Sequence, residues 1–404
     1  MKKITALFLA LCLVFSTACG ENVENSTNLM KDIKPQKIEI KADEDTTKPL
    51  VDFSAKLFGQ VTEEGKNTLI SPVSILYALA MTANGAKGET LAEIEKTVGT
   101  DINSLNHSLA EYMLYLGEDE TSVANSIWYR NGFEADRNFL QTNADFFGAD
   151  IYTAPFDDST VKDINGYVND NTKGMIDRII HRIEPQTAMI LINALTFEAQ
   201  WREKYKNSQI NEGEFTAYDG SVQNAEYMYS TENVYLSDEN TKGFIKYYKD
   251  ADYAFVELLP DEDISIDDYT DSLSGEKLCS LLQGRQVAEV DVAIPRFESE
   301  FSAQLNDVLA DMGINRLFDP YTADLSGMGK TDANLFVSSV LHKTYISVDK
   351  QGTKAAAVTL VATNESAAAP QEYIVRLDRP FVYMIVHGRS LLPVFIGTTV
   401  SIEK

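Results

Sequence analysis

The spacing of apolar residues divides the chain into a first half rich in helices and a second half rich in strands. In the first half, apolar positions recur three or four residues apart, as on the buried face of an amphipathic helix. Ser71 before Pro72 predicts a helix start, because serine caps helix N-termini and proline is favoured in the first turn. The other predicted helices cover residues 50–64, 89–98, 102–116, 139–147 and 165–180.

Most of the predicted strands lie beyond residue 188. Residues 189–197 are almost continuously apolar, which predicts a strand buried on both faces at the centre of a sheet. Residues 243–259 predict a hairpin that turns at residues 249–251. The other predicted strands cover residues 122–129, 288–294, 336–348, 373–377, 381–386 and 391–398. Helices early and strands late predict an α+β fold, formed as one large domain by residues 49–404.

The types of residue in the stretch from Ser338 to Gln371 change along its length. It begins with alternating β-branched residues, passes through Gly352 and continues into small residues that include three successive alanines. Residues 363–370 are polar and small, which predicts an exposed loop. Composition alone leaves two interpretations, an Ala/Ser-rich linker or a strand that extends when its far end is released.

Residues 1–18 have the pattern of an export signal, with Lys2 and Lys3 before an apolar run and small residues at the end. Cys19 follows directly, as in bacterial lipoproteins, so we expect a lipid anchor on Cys19; ordinary cleavage after Ala18 also fits. The protein is therefore expected to be exported, either as a cell-surface lipoprotein or free in the extracellular space. Residues 19–48 are polar and charged, which predicts a flexible tether.

Composition narrows the possible partners. The chain has 404 residues, 44% of them hydrophobic, and a formal net charge of −26. Such a chain can bury a large core, and its charge disfavours nucleic acids and anionic membrane surfaces. No second apolar run is long enough to span a bilayer, so we expect membrane contact only through the anchor. Cys279 has helical spacing with neighbouring leucines, which predicts a buried helix cysteine and no disulfide.

The sequence gives only weak matches to the known catalytic motifs. The histidines form no HExxH pair and there is no G-x-S-x-G turn. Residues 327–331 resemble the end of a phosphate-binding loop, but Asp324 stands where that loop needs glycine and would repel phosphate. We therefore expect no enzyme, no metal and no cofactor; a hydrolase whose residues the sequence does not reveal stays open.

Residues 350–359, KQGTKAAAVT, resemble the hinge of the serpin family, whose pattern is roughly E-x-G-T-E-A-A-A-x-T. Further blocks agree in the family's order. They are residues 67–90 (NTLISPVSILYALAMTANGAKGET), 191–201 (LINALTFEAQW), 294–297 (IPRF), 338–343 (SSVLHK) and 378–381 (DRPF). A hinge alone is a weak signal, but six blocks in order over residues 50–400 make a strong resemblance to a serpin.

This resemblance implies a fold and a function. The serpin fold packs helices around a large central mixed β-sheet and smaller sheets, with an exposed reactive-centre loop at about residues 350–372. It implies irreversible inhibition of a serine endopeptidase, which cleaves the loop, forms an acyl-enzyme and is trapped as the loop inserts into the central sheet. We expect a monomer that forms a covalent complex with its target protease. The alternative is a non-inhibitory serpin, acting as a surface binding protein or plain protease substrate.

The hinge residues support inhibition by their chemistry. The resemblance assigns the hinge to Gly352, Thr353, Ala355, Ala356, Ala357 and Thr359. Side chains of a strand alternate between faces, so if Thr353 points inward, every second residue up to Thr363 does too. These inward residues are small or β-branched and uncharged, whereas Lys354 falls on the outward face. A charged inward residue would stall insertion and leave a plain substrate.

Two hinge positions depart from the family pattern. Lys350 and Lys354 stand where glutamate is usual, and the resemblance places Arg296 beside Lys350. Two cations there would repel, so we expect weaker closure at the top of the sheet and an altered rate of insertion or of conversion to a latent form.

The resemblance also assigns a gate beneath the sheet to Ser71, Ser74, Asn193 and His342. Each of these residues alone reads as a helix cap or a satisfied buried polar group, but together they could form hydrogen bonds. Trp201 matches the tryptophan at the upper opening of the sheet.

The resemblance places the scissile bond at Ser366–Ala367, and any bond from Thr363 to Ala369 stays open. No arginine or lysine lies in this window, which disfavours trypsin-like proteases. Small residues favour elastase-like or subtilisin-like serine proteases. A protease specific for glutamate, acting after Glu365, is the runner-up.

Overall fold

The computed structural model describes residues 24–42, 46–116, 120–249, 252–332, 334–353, 372–388 and 391–403. Its helices are α1 (Thr47–Val61), α2 (Pro72–Ala83), α3 (Gly88–Val98), α4 (Ile102–Tyr115), α5 (Arg137–Phe147), α6 (Asp158–Asn171), α7 (Ile266–Asp271), α8 (Gly275–Gln283) and α9 (Asn306–Asp311). Its strands are β1 (Thr27–Asn28), β2 (Thr68–Ile70), β3 (Thr121–Arg130), β4 (Glu134–Ala135), β5 (Asp150–Ala154), β6 (Met189–Phe197), β7 (Ala199–Gln200), β8 (Ile210–Thr216), β9 (Val222–Ser237), β10 (Thr241–Tyr247), β11 (Tyr253–Pro260), β12 (Gln286–Pro295), β13 (Phe297–Gln304), β14 (Gly329–Lys330), β15 (Ser339–Asp349), β16 (Gly352–Thr353), β17 (Glu372–Arg376), β18 (Phe381–His387) and β19 (Pro393–Thr399).

The first sheet is mixed and runs in the order β1-β5-β3-β6-β15, with β13 on the far side of β15. β6 and β15 pair in parallel, from Ser339 opposite Ile190 to Tyr345 opposite Thr196. Every residue of β6 is buried, because helices and a second sheet cover its two faces. The prediction of a central strand at residues 189–197 is confirmed. We call the end of this sheet at Met189 its base and the end at Ala199 its top.

The second sheet has the order β17-β12-β9-β10-β11-β18-β19-β2, with β8 on the edge of β9, and β4 pairs with β14 separately. The main core lies between the two large sheets, where aromatic rings from both meet. The Phe197 ring contacts the Tyr253 ring at 5.1 Å between centroids, and Phe297 contacts Tyr383 at 5.2 Å. The predicted α+β class is confirmed.

Two helices cover the first sheet from opposite sides. α2 is buried at every residue and passes through the main core, with the Ser71 hydroxyl accepting a hydrogen bond from the Ser74 amide as its cap. α6 lies on the other face over a second apolar cluster, in which the Trp128 and Tyr152 rings stack at 4.4 Å. Within the described part of the chain, no helix is long and apolar enough to cross a membrane.

The helix predicted at residues 165–180 is wrong in its bounds. α6 starts at Asp158, where the Asp157 carboxylate caps the amides of Ser159 and Thr160, and it ends at Asn171. Lys173 and Gly174 then take left-handed φ angles of 52° and 76°, which end a helix. Ile176, Ile179 and Ile180 are buried from irregular chain, so their spacing imitates a helix that does not form.

The flexible tether predicted for residues 19–48 is contradicted for residues 24–42, which we call the N-terminal segment. β1 pairs with β5 at the edge of the first sheet, and Leu29, Met30 and Ile33 pack against the main core. Farther along, the Gln36 amide donates to Asp145 and the Lys41 amide to His107. Composition suggested disorder because few residues are apolar, but backbone pairing and a few buried side chains hold the segment in place.

Candidate functional site

The top of the first sheet holds the two-residue strand β16 between longer strands. It pairs antiparallel with the end of β15, where Thr353 lies opposite Val348, and its other edge pairs with β7, where Thr353 lies opposite Ala199. Below this point β6 and β15 pair directly, along a line that we call the seam. The chain that leaves β15 therefore turns back and begins a new strand at the upper end of the seam.

Gly352 is required at the start of that strand. Its φ is +150°, and a Cβ atom there would lie 2.0 Å from the Ala199 carbonyl oxygen. A residue without a Cβ meets both demands, the unusual backbone angle and the close approach of the neighbouring strand. This explains physically the glycine that the hinge motif contains.

Thr353 points into the protein, as the alternation argument assumed. Its side chain is fully buried, and its Oγ1 lies 2.7 Å from the Tyr248 hydroxyl. The other hinge residues, Ala355, Ala356, Ala357 and Thr359, lie outside the described residues. So do the Ser366–Ala367 bond and Cys19, and their assignments stay predictions.

Trp201 holds the turn that leads into β16. Its indole Nε1 donates to the Asp349 carbonyl at 2.8 Å, and its amide donates to the Gln351 carbonyl at 3.0 Å. The indole stacks on the Tyr248 ring at 4.6 Å between centroids. The residue that the resemblance placed at the upper opening therefore fixes the backbone of the hinge directly.

A cluster of three charged groups lies next to Trp201, with Lys246 and Glu257 buried and Glu232 partly buried, and sequence reasoning missed it. The Lys246 Nζ lies 2.6 Å from a Glu232 carboxylate oxygen and 4.5 Å from the centre of the Tyr205 ring. Glu257 is fully buried, and neither carboxylate oxygen has a hydrogen-bond partner among the described residues. Burial raises the pKa of Glu257 well above its usual range, while the Lys246 charge opposes that shift. Its sequence signal was a single acid within the apolar run of β11.

Arg296 and Lys350 line one cleft of about 240 Å³ beside the hinge, together with Glu226 and Asp349. Each cation has its own partner. The Arg296 Nη1 lies 3.2 Å from Glu226 Oε2, and the Lys350 Nζ donates to Asn207 Oδ1 at 3.0 Å. The structure places the two cations on one cleft, as the resemblance implied, and the effect on closure remains a prediction.

The four predicted gate residues lie together beneath the seam. Asn193 of β6 and His342 of β15 are direct neighbours in the ladder, and the His342 Nδ1 bonds the Asn193 Oδ1. The Asn193 Nδ2 donates to the Ser74 Oγ at 2.6 Å, and the Ser71 amide donates to the His342 Nε2 at 3.2 Å. One hydrogen-bonded network thus joins both strands of the seam to the start of α2.

Asn125 is a fifth member of this network that sequence reasoning missed. Its Oδ1 accepts from the Ser74 hydroxyl at 3.0 Å and from the Asn193 Nδ2 at 2.9 Å. The available signal was a polar residue in the middle of a predicted strand. Through Asn125 the network extends to β3, a third strand of the sheet.

These contacts fix the protonation state of His342. The Ser71 amide needs an acceptor at Nε2, so the single ring proton sits on Nδ1 and is donated to Asn193. Complete burial lowers the pKa of His342 from 6.5 to about 3. A neutral imidazole is therefore part of the closed seam at physiological pH.

α6 is fastened over the same region. The Tyr167 hydroxyl lies 3.1 Å from the Asn125 carbonyl oxygen and 3.0 Å from Asp150 Oδ2. Burial raises the pKa of Asp150 from 3.8 to about 6, and the bond from Tyr167 opposes that shift. Parting β6 from β15 thus disturbs a network to which the covering helix is attached.

Two other features bear on chemistry outside the hinge and the network beneath the seam. Among the described residues, no group of three or more His, Cys, Asp and Glu side chains is arranged to hold a metal ion. Cys279 lies on α8, as its spacing predicted, but it is only partly buried; desolvation raises the pKa of its thiol. A raised pKa disfavours the nucleophilic thiolate form.

Comparison with known proteins identifies what this arrangement resembles. The family model described as "Serpin (serine protease inhibitor)" matches residues 49–402. The "Leukocyte elastase inhibitor A" of Rattus norvegicus is 29% identical over 370 residues, covering 86% of this chain and 97% of that protein.

Solved structures of one relative, in its native and its latent state, both match this chain. The native state of the thermophilic serpin tengpin matches with a TM-score of 0.89 at 42% identity, covering 94% of this chain and all of that one. The latent state of tengpin matches with a TM-score of 0.80 at 41% identity, covering 91% and all of that chain. The described chain is therefore closer in shape to the native than to the latent form.

Proposed function

Since this chain belongs to the serpin family, we propose that it inhibits serine endopeptidases irreversibly, as a substrate that traps the enzyme. The observation that carries this proposal is the position of Gly352 and Thr353. They already form the first residue pair of a strand between β15 and β7, at the upper end of the seam. The residues that follow in sequence have the small, uncharged inward side chains that a packed sheet interior accepts.

The covalent step uses the protease's own serine. Its Oγ attacks the carbonyl carbon of Ser366, the bond to the Ala367 nitrogen breaks, and the new N-terminus leaves with a proton. The serpin stays attached through an ester. The cut loop is then joined to the sheet only through the hinge, so it is free to continue β16 towards the base.

Insertion replaces one parallel pairing with two antiparallel ones. β6 and β15 are parallel to each other, and β16 is antiparallel to β15, so an inserted strand would be antiparallel to both neighbours. Thirteen residue steps separate Thr353 from Ser366, about 43 Å of strand. From the top at Ala199, this length carries Ser366 past Met189 to the base.

The gate must open for this to happen. Asn193 and His342 face each other across the seam, and a strand that enters between β6 and β15 breaks their bond. The polar network therefore favours the closed, uninserted state until the released loop supplies new backbone partners.

For the target we propose an elastase-like or subtilisin-like serine protease acting at Ser366–Ala367. The window from Thr363 to Ala369 holds small residues and one acid, and no Lys or Arg. Shallow primary pockets accept such residues. The proposal also includes export and a lipid anchor on Cys19, with the inhibitor working as a monomer.

The test is a denaturing gel and intact mass after brief incubation with an elastase-like protease. Inhibition predicts a boiling-stable band at the summed mass, and the released C-terminal fragment identifies the bond. Ala355→Arg charges an inward position and should convert the protein into a cleaved substrate, whereas Lys354→Glu, on the outward face, should still form the complex. Clean cleavage of the unaltered protein with full protease activity would make it a non-inhibitory serpin towards that enzyme.

A further inference from the structure

We propose that the anchored protein stands with the base of its first sheet towards the membrane and its reactive loop pointing away. This inference rests on the proposed lipid anchor at Cys19. It is carried by where the N-terminal segment enters the fold and by how few residues separate that point from Cys19.

The entry point is a buried carboxylate on α6. Asp163 is only 1% exposed. Its oxygens accept from the Glu24 amide at 3.2 Å, the Asn25 amide at 2.9 Å and the Ser26 hydroxyl at 2.6 Å. Hydrogen bonds to a charged group are the stronger kind, so residues 24–26 are held on α6.

Strand register places this entry point at the base of the sheet. Thr27 lies opposite Thr153, whose ladder partner is Tyr129, and Tyr129 lies opposite Met189. The next pair, Asn28 opposite Tyr152, is one step nearer the top. Going backwards along the chain from Thr27 therefore leads off the base, away from β16.

The remaining distance to the anchor is short. Five residue steps separate Cys19 from Glu24, which span at most about 18 Å even when fully extended. Ten steps separate the row of Met189 from the row of Ala199, about 33 Å along the strands. The chain from Cys19 to Glu24, which we call the leash, is thus shorter than the sheet. It holds the base of the sheet near the bilayer and leaves the hinge at Thr353 at the opposite end of the sheet, away from the membrane.

The orientation affects how the anchored inhibitor can hold a trapped protease. Insertion would carry an acylated protease to the same base of the sheet. A folded protease domain is roughly 40 Å across, which exceeds the span of about 18 Å that the extended leash can reach. On a membrane, the leash therefore limits the room available to the trapped enzyme.

The orientation is tested by fluorescence quenching on vesicles of phosphatidylcholine and phosphatidylglycerol that carry a nitroxide on the headgroup. The full lipoprotein, with Cys279→Ser, carries a single fluorescent label. The label is placed either at Lys162→Cys on α6 near the base or at Ser208→Cys near the top, next to Asn207, which accepts the hydrogen bond from Lys350. Both positions are exposed. We expect several-fold stronger quenching at residue 162. Equal quenching, or stronger quenching at residue 208, would overturn the orientation and leave the anchor standing.

Intact mass decides the anchor separately. A mature protein without acyl chains that does not bind vesicles would overturn both the anchor and the orientation. Failure to inhibit any protease would refute the proposed inhibition without affecting the quenching result.

A second measurement uses the leash length. Inserting about ten Gly/Ser residues after Gly20 should raise the yield of covalent complex on vesicles, since the longer chain gives the protease room. The same insertion in a Cys19→Ala protein in solution should leave the yield unchanged. An unchanged yield on vesicles would contradict a short leash at the base.

Discussion

The Tyr248 hydroxyl lies 2.7 Å from the Thr353 Oγ1, so the first inward residue of the hinge is bonded to the residue that directly follows β10 of the second sheet. Both side chains are buried, and neither hydroxyl can turn to water. The start of the hinge is therefore held in a fixed position.

The contribution of this contact can be measured with a double-mutant cycle. Tyr248→Phe and Thr353→Val should each lower the free energy of unfolding by about 1–3 kcal/mol, because each leaves one buried hydroxyl without its partner. The double variant should cost clearly less than the sum of the two. Urea unfolding of the native state measures all three. Additive costs would show that the two hydroxyls do not interact.

Gly352 gives a second prediction with a matched control. Gly352→Ala should destabilise the native state by about 2 kcal/mol or more, since its Cβ would meet the Ala199 carbonyl at a positive φ. Gly59→Ala, in α1, has no atom within 4 Å of its Cβ and should stabilise by about 0.5–1 kcal/mol. Hydrogen exchange should show lost protection in β7 for the first variant alone. Retained protection there would mean that the hinge tolerates a side chain.

Sequence was a good guide where structure follows from neighbouring residues. The apolar run of β6 predicted a central strand, and Ser71 with Pro72 predicted the start of α2. The inward direction of Thr353 was an assumption of the alternation argument, and the structure shows this side chain fully buried. These features depend on local backbone preference and on burial, which short patterns record.

Sequence was a poor guide where a residue is defined by a distant partner. The Asp163 carboxylate accepts a hydrogen bond from the Asn25 amide, 138 positions away in the sequence, and no pattern near either residue predicts this contact. Asn125 and Glu257 sit in predicted strands. Only the folded protein shows that Asn125 joins the network of Ser74 and Asn193, and that the Glu257 carboxylate has no hydrogen-bond partner among the described residues. The resemblance supplied the four residues predicted to form the gate, and the fold adds Asn125 as a fifth member of their hydrogen-bonded network.

The charge at position 350 should control the upper end of the seam. Lys350→Glu would face Arg296, and at this exposed site the new pair is worth at most about 1 kcal/mol, because Glu226 and Asp349 line the same cleft. We expect higher hydrogen-exchange protection at residues 349–353 and slower conversion to a latent form, with Lys350→Gln intermediate. In the unaltered protein the top of the sheet should exchange faster than the base. A top as protected as the base would refute the expected weak closure.

The buried His342 and the partly buried Asp150 should give the native state opposite responses to pH. His342 has its pKa lowered from 6.5 to about 3, so between these values the unfolded chain binds more protons and stability rises with pH. Asp150 has its pKa raised from 3.8 to about 6, so between these values the native state binds more protons and stability falls as pH rises. Where the two windows overlap, their effects on unfolding offset each other.

Replacing either side chain should reveal the pH dependence of stability that the other one produces. His342→Gln keeps an acceptor for Ser71 and a donor for Asn193, and its stability should fall as pH rises from about 4 to about 6, relative to the unaltered protein. Asp150→Asn keeps an acceptor for Tyr167, and its stability should rise over the same range. Each change in slope is at most about 1.4 kcal/mol per pH unit. Urea unfolding midpoints at several pH values measure the three slopes, and parallel curves would mean that neither side chain titrates differently in the native and unfolded states.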